Sequence, residues 1–386
     1  MPHRRHLFSA AIFLLILVAL PLTARAQLFE TRAAQAFLMD GDTGTVLFAK
    51  EADTPVPPAS LAKLMTVELV FQALEAGRLR LDDRFQISEN AWRTGGAVSG
   101  TSTMFAEVNS SVPLADLIRG IIIQSGNDAA IAIAESMAGS EDAFAQLMTQ
   151  RARDLGLRRS VFANATGLPH PDAGVTMREL ALLAQHIERT YPAFYDIFSE
   201  VDFSWNDINQ RNRNPLLRFD IGADGLKTGF TQASGYAIVG SVERDGQRLF
   251  LAMSGMQSAE ERAEEARRML EWGLHAFARR QLFTRNEIVG EARVYGGARP
   301  AVPLTAGNPV DILVPVSDAE RLRADIVYSW PLNAPVEEGD RVAMLQLWDG
   351  ETLSRTVPLY AAEAVATGPL HRRALHALRE LLLFWL

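Results

Sequence analysis

The chain of 386 residues has no cysteine, which excludes disulfides, thiolate metal sites and a cysteine nucleophile. Lysine is almost as scarce. Of 38 basic residues only Lys50, Lys63 and Lys227 are lysine, and the other 35 are arginine. Positive charge as a whole is in deficit, 38 basic against 46 acidic residues for a net −8. Such a chain is a poor partner for nucleic acid, whose binding draws on clustered positive charge. The sequence also lacks a His-Glu-x-x-His pair, a Gly-x-Ser-x-Gly elbow and a glycine-rich phosphate loop. Nothing in it therefore calls for a metal, a nucleotide or another cofactor. What is there is 48% hydrophobic and 22% charged, an ordinary globular balance at a length that suits two or three domains.

The first 26 residues read as an export signal. Arg4 and Arg5 precede the apolar run from Leu7 to Leu22, and Ala24-Arg25-Ala26 fits a small-x-small cleavage site. A mixed α/β pattern follows over residues 27–282. Gln35–Met39 and Thr45–Ala49 predict a hairpin, and Pro57-Pro58 opens a helix from Ser60 to a stop at Gly77. Leu114–Gln124, Ala129–Met137 and Asp142–Leu155 are helical in pattern, and capping boxes stand at Thr176–Glu179 and Ser258–Glu261. Between the boxes, Tyr236–Glu243 and Arg248–Met253 flank Asp245-Gly246 as a second hairpin. Strands at both ends with helices between them predict a sheet closed by distant parts of the chain. Residues 283–367 alternate short β-type runs with Gly, Pro and Asp turns and predict a small all-β domain.

Residues 368–386 predict a C-terminal amphipathic helix. Ala374, Leu378, Leu381, Leu382 and Trp385 share one face, opposite Arg372, Arg373, His376, Arg379 and Glu380. Its length and internal charges suit lying in a membrane interface better than spanning one.

Ser60-Leu61-Ala62-Lys63 places a hydroxyl and an amine one helical turn apart on one face. Serine is a weak nucleophile that needs an adjacent base, and lysine serves if desolvation and nearby positive charge lower its pKa. Taken alone the motif reads better as a capping serine before a solvated lysine. Lysine usage shifts that balance. Arginine cannot give up its proton at physiological pH, so a chain that uses arginine almost everywhere keeps lysine where a proton must leave. The same logic applies to Lys227 in Lys227-Thr228-Gly229. Ser125-Gly126-Asn127, between two helices, doubles as a simple helix break, with Asn127 or Asp128 as cap. His170 reads as a loop residue rather than a ligand.

In order and spacing these motifs are similar to the signature of penicillin-binding proteins and serine β-lactamases. With Pro58–Thr66, Gln124–Ala129, Asp224–Gly229, Leu117–Gly120 and Trp272-Gly273, the chain resembles the low-molecular-mass D-alanyl-D-alanine carboxypeptidases over essentially everything after residue 26. The resemblance implies an α/β (α+β) serine β-lactamase/transpeptidase-like peptidase domain, then the all-β domain and the amphipathic helix. It implies that Ser60 forms an acyl-enzyme, that Lys63 takes its proton, and that Ser125 and Asn127 line the cleft, Ser125 within a proton relay. Lys227, Thr228 and Gly229 are implied to bind substrate, and the backbone N–H groups of Ser60 and Phe230 to form an oxyanion hole. Many relatives carry histidine where Phe230 stands, a change that a main-chain donor survives. Arg262 is the best match for a basic residue that holds the substrate's terminal carboxylate. Locally it reads as well as an arginine paired with Glu265.

The implied partners are peptidoglycan stem peptides ending in D-Ala-D-Ala, β-lactams as acylating inhibitors, and the inner-membrane surface on its periplasmic face. Alternatives are a peptidoglycan DD-endopeptidase, a class A-like β-lactamase and a catalytically silent wall-binding scaffold. The lactamase reading lacks its Glu-x-x-Leu-Asn loop, because Glu179-Leu180 continues as Ala181-Leu182. The scaffold reading would be favoured by a lost motif residue, and all are intact.

Overall fold

The chain enters its fold as a hairpin, β1 (Gln35–Asp40) and β2 (Val46–Lys50). A 3-10 turn at Ala59–Ala62 then leads into α1 (Lys63–Glu75). The helix expected from Ser60 therefore begins as a tighter coil, entered at Ala59 with φ +49. Ten of the thirteen residues of α1 are buried, the pattern of a helix packed on all sides. Strands β3 (Arg84–Gln86) and β4 (Ser111–Pro113) pair across a long loop that contains one π-helical turn at Ala91–Gly95. Helices α2 (Leu114–Ile123), α3 (Asn127–Ala138), α4 (Glu141–Asp154), α5 (Met177–Thr190) and α6 (Pro192–Tyr195) follow. After the small hairpin β5 (Asp202–Trp205) and β6 (Ile208–Arg211) come β7 (Ala223–Thr231), β8 (Gly235–Arg244), β9 (Gln247–Met256) and α7 (Ala259–His275).

The computed structural model describes residues 29–316, 322–370 and 373–374. The expected export signal and most of the residues of the expected C-terminal helix lie outside them. Among the described residues no helix is long and apolar enough to cross a membrane.

The main sheet has the order β2-β1-β9-β8-β7 and is antiparallel throughout. Pairing of β1 with β9, from Gln35 opposite Ser254 to Asp40 opposite Leu249, joins the two ends of the domain as the sequence pattern predicts. Six consecutive buried residues in each of β8 and β9 show that both faces of the sheet are covered. Thr176 and Ser258 cap α5 and α7, accepting from the N–H of Glu179 and Glu261 at 3.2 and 3.0 Å. The first box is only half made, because the Glu179 carboxylate turns to the Arg159 N–H and the Ser160 hydroxyl instead.

The second domain is all-β. β10 (Phe277–Phe283), β11 (Ile288–Tyr295), β12 (Ala301–Thr305), β13 (Val310–Pro315), β14 (Leu322–Val327), β15 (Leu332–Asn333), β16 (Arg341–Asp349) and β17 (Thr352–Ala361) make up its strands. β10 pairs with β13, and the others form a six-stranded sheet, β14-β16-β17-β12-β11-β15. β10 is not apparent from the sequence because no Gly or Pro separates it from α7. Asp42 and Arg279, 2.6 Å apart, tie this domain to the first hairpin.

Candidate active site

The 3-10 turn sets the centre of the site. In a 3-10 coil residues i and i+3 eclipse, and Ser60 Oγ lies 3.1 Å from Lys63 Nζ. Lys63 is fully buried, and Nζ also donates to Asn127 Oδ1 at 2.7 Å and to the Thr166 carbonyl at 2.6 Å. Burial, reinforced by the positive charge of Arg213, pushes its pKa down to about 7, against opposing pulls from Asp128 and Glu141. A neutral amine has two N–H bonds and one lone pair. Asn127 Oδ1 and the Thr166 carbonyl can only accept, so they occupy both N–H bonds and leave the lone pair facing Ser60 Oγ.

Ser125 sits between α2 and α3 with φ +65, a conformation that non-glycine residues hold at a cost of about 1–3 kcal/mol, usually where function needs it. Its Oγ is buried without a hydrogen-bond partner among the described residues. Asn127 opens α3, and its Nδ2 donates to Thr101 Oγ1 at 3.0 Å. Asp128 is not a cap. Its carboxylate accepts from the Met104, Ala106 and Ala129 N–H groups and from Thr103 Oγ1, which pins the 103–106 segment beside the cleft.

The opposite wall is the sheet-edge strand β7. Lys227 is buried there, donates to the Thr228 carbonyl at 2.9 Å, and has a pKa held well below the usual lysine value by burial and by Lys63, Arg213 and Arg262. Thr228 is buried beside it. Gly229 permits the approach of β7 to the nucleophile's turn: a Cβ there would lie 3.1 Å from Ala59 Cβ and 3.3 Å from Ser60 N. Phe230 is half exposed at the rim and tilts against Tyr236 with ring centroids 4.4 Å apart. A cleft of about 890 Å³ opens here, its walls including Ser60, Asn127, Thr166, His170, Arg213 and Phe230.

Arg262, on α7, is not the Glu265 partner that its local sequence suggests. Glu265 is taken by the Thr31 hydroxyl, the Arg32 N–H and Arg268. The Arg262 guanidinium instead lies 5.7 Å from the Tyr236 ring centroid, and its Nε is buried without a partner among the described residues. Lys50 is accounted for differently, as a donor to the Thr31 and Ala33 carbonyls.

Three contributors escape sequence reasoning. Arg213 lines the cleft and donates to Ser102 Oγ at 2.5 Å, but one arginine among 35 carries no signal. Thr166 acts through its backbone carbonyl. Gly167, with φ +77, lets its loop touch the nucleophile's turn, where a Cβ would fall 1.6 Å from the Ala59 carbonyl oxygen. Nothing about these positions in the sequence marks the contact.

Residues 22–258 match the family model described as D-alanyl-D-alanine carboxypeptidase. The chain belongs to this family. Residues 277–367 match the model of the penicillin-binding protein 5 C-terminal domain. D-alanyl-D-alanine carboxypeptidase DacC of Escherichia coli is 35% identical over 364 residues, 93% of this chain and 91% of its own. DacD of the same organism is 34% identical over 348 residues, 89% of each chain. Among solved structures, penicillin binding protein 5 from Haemophilus influenzae superposes with a TM-score of 0.73 at 32% identity, over 87% of this chain and 98% of its own. The family's fold, an α/β domain of the penicillin-binding protein and β-lactamase type followed by an all-β domain, is the fold described above.

Proposed function

We propose that this chain is a serine-type D-alanyl-D-alanine carboxypeptidase that removes the terminal D-alanine from peptidoglycan stem pentapeptides. The observation that carries the reading is the Lys63 amine, buried, with its pKa brought down to about 7, and turned in its neutral form by two obligatory acceptors toward Ser60 Oγ. Lys63 takes the serine proton as Oγ attacks the carbonyl between the last two D-alanines. The N–H groups of Ser60 and Phe230 stabilise the oxyanion. As the C–N bond breaks, the proton passes to the leaving amine through Ser125, whose hydroxyl has no competing partner among the described residues. Water then hydrolyses the Ser60 ester and frees the enzyme.

Lys227, Thr228 and Arg262 hold the carboxylate of the leaving D-alanine. Lys227, Arg213 and Arg262 influence one another electrostatically, and this cluster of basic groups in a chain of net −8 suits an anionic C-terminus. A β-lactam presents its strained amide to the same serine and leaves it acylated. We assign residues 27–276 to the peptidase domain and 277–367 to the β domain, which moves the expected boundary at residue 282 back because β10 pairs with β13. We further propose that residues 1–26 export the chain and that residues 368–386 attach it to the membrane surface, at the periplasmic face.

Intact-mass measurement after penicillin treatment tests the nucleophile. One adduct is expected on the wild type and none on S60A; an adduct that persists on S60A would overturn the assignment.

A further inference from the structure

We infer that Thr101, on the loop between the π-helical turn and β4, is a positioning residue that fixes the Asn127 amide and, through it, the direction of the Lys63 lone pair. This deepens the site reading above and rests on it. The two ends of an asparagine amide have nearly the same shape, so hydrogen-bond partners alone decide which end faces where. A chain of such bonds starts at the Gly96 carbonyl, which can only accept. Ser99 Oγ donates to it at 2.7 Å, which uses the one proton that the hydroxyl has. Ser99 Oγ must then accept, and it does so from the Thr101 hydroxyl at 2.7 Å and the Thr101 N–H at 3.2 Å.

With its own proton directed to Ser99, Thr101 Oγ1 is left as an acceptor, and Asn127 Nδ2 donates to it at 3.0 Å. That leaves Oδ1 facing Lys63 Nζ at 2.7 Å. The direction of the whole chain is set by the carbonyl at its far end. The π-helical turn that precedes the loop is packed against the start of α3, since a Cβ on Gly95 would fall 2.3 Å from the Asp128 backbone nitrogen.

Removing the Thr101 hydroxyl removes the acceptor for Nδ2. The native orientation then loses its anchor, and the reversed amide, with its N–H pointing at Lys63 Nζ, is populated more than in the wild type. Two consequences follow. The neutral amine's lone pair is engaged by that N–H instead of facing Ser60 Oγ, and the ammonium form loses an acceptor. The charged groups that bear on Lys63 are Arg213, Lys227, Asp128 and Glu141. None of them changes, so any shift in the titration reports the amide.

The test compares T101V with T101S through the pH profile of the second-order acylation rate by penicillin, followed by intact mass. Valine keeps the threonine's shape and takes away the hydroxyl of a residue that stands exposed on the cleft wall. T101V should lose about tenfold or more on the plateau, within the range of general-base contributions. Its acid limb should move to lower pH, because the ammonium form has become less stable. T101S keeps the hydroxyl and should recover most of the rate and the position of the limb. A T101V profile that coincides with wild type would overturn the inference, as would lost rate with the limb unmoved, or a T101S loss equal to that of T101V. A wild-type protein that takes no adduct on Ser60 would instead place the error in the site reading.

Discussion

The proposed chemistry depends on a proton leaving one lysine. Lys63 is buried with three hydrogen-bond partners, and its pKa near 7 follows first from desolvation and then from Arg213. The active form is the neutral amine, so acylation should rise with pH through about 7 and level off above it, with about tenfold less rate one unit below the midpoint. K63R keeps the charge and cannot shed the proton. It should acylate at least about a hundredfold more slowly at every pH, which a penicillin time course would show. A K63R rate within about tenfold of wild type would rule Lys63 out as the base. The two lysines of the site were legible in the sequence because arginine fills almost every other basic position. Arg213 was not, for the same reason.

At the scale of elements, the site depends on how closely three segments approach one another. The nucleophile's 3-10 turn is flanked by Gly229 of β7 and by the Gly167 loop. G167A places a methyl against the Ala59 carbonyl at a left-handed φ, whereas G156A meets a similar φ of +83 with nothing within 4 Å. Strain alone costs about 1–2 kcal/mol, so G156A should lower the melting temperature by a few degrees. G167A should lower it further and slow acylation as well. Equal melting temperatures for the two variants would mean that the contact at Ala59 yields easily. Helices with capping residues and hairpins with Asp-Gly turns were legible because their signals are local. The 3-10 start of α1, the Gly167 contact and strand β10 were not. Each depends on a partner distant in sequence or on a boundary that no residue marks.

At the scale of the molecule, an acidic chain gathers Lys63, Lys227, Arg213 and Arg262 at one cleft. An all-β domain is tied to the first hairpin through Asp42 and Arg279. The two-domain architecture was legible from the change in periodicity, but the way in which the domains meet was not, because an ion pair between residues 42 and 279 has no sequence signature. Truncation after Thr367 removes the predicted amphipathic helix and should move the protein from the membrane to the soluble fraction, with turnover of a soluble peptide unchanged. A truncated chain that still sediments with membranes would place the anchor elsewhere. The central claim is that the cleft recognises a free C-terminal carboxylate. The most direct measurement is D-alanine release, followed by mass spectrometry, from a peptide ending in D-Ala-D-Ala, beside D-alaninamide release from its C-terminal amide, with wild type and R262A. Loss of hydrogen bonds to a charged group costs about 1.5–3 kcal/mol, roughly ten- to more than a hundredfold in kcat/KM. Wild type should prefer the acid, and R262A should lose most of that preference. Faster cleavage of the amide by wild type, or equal losses on both peptides in R262A, would contradict it.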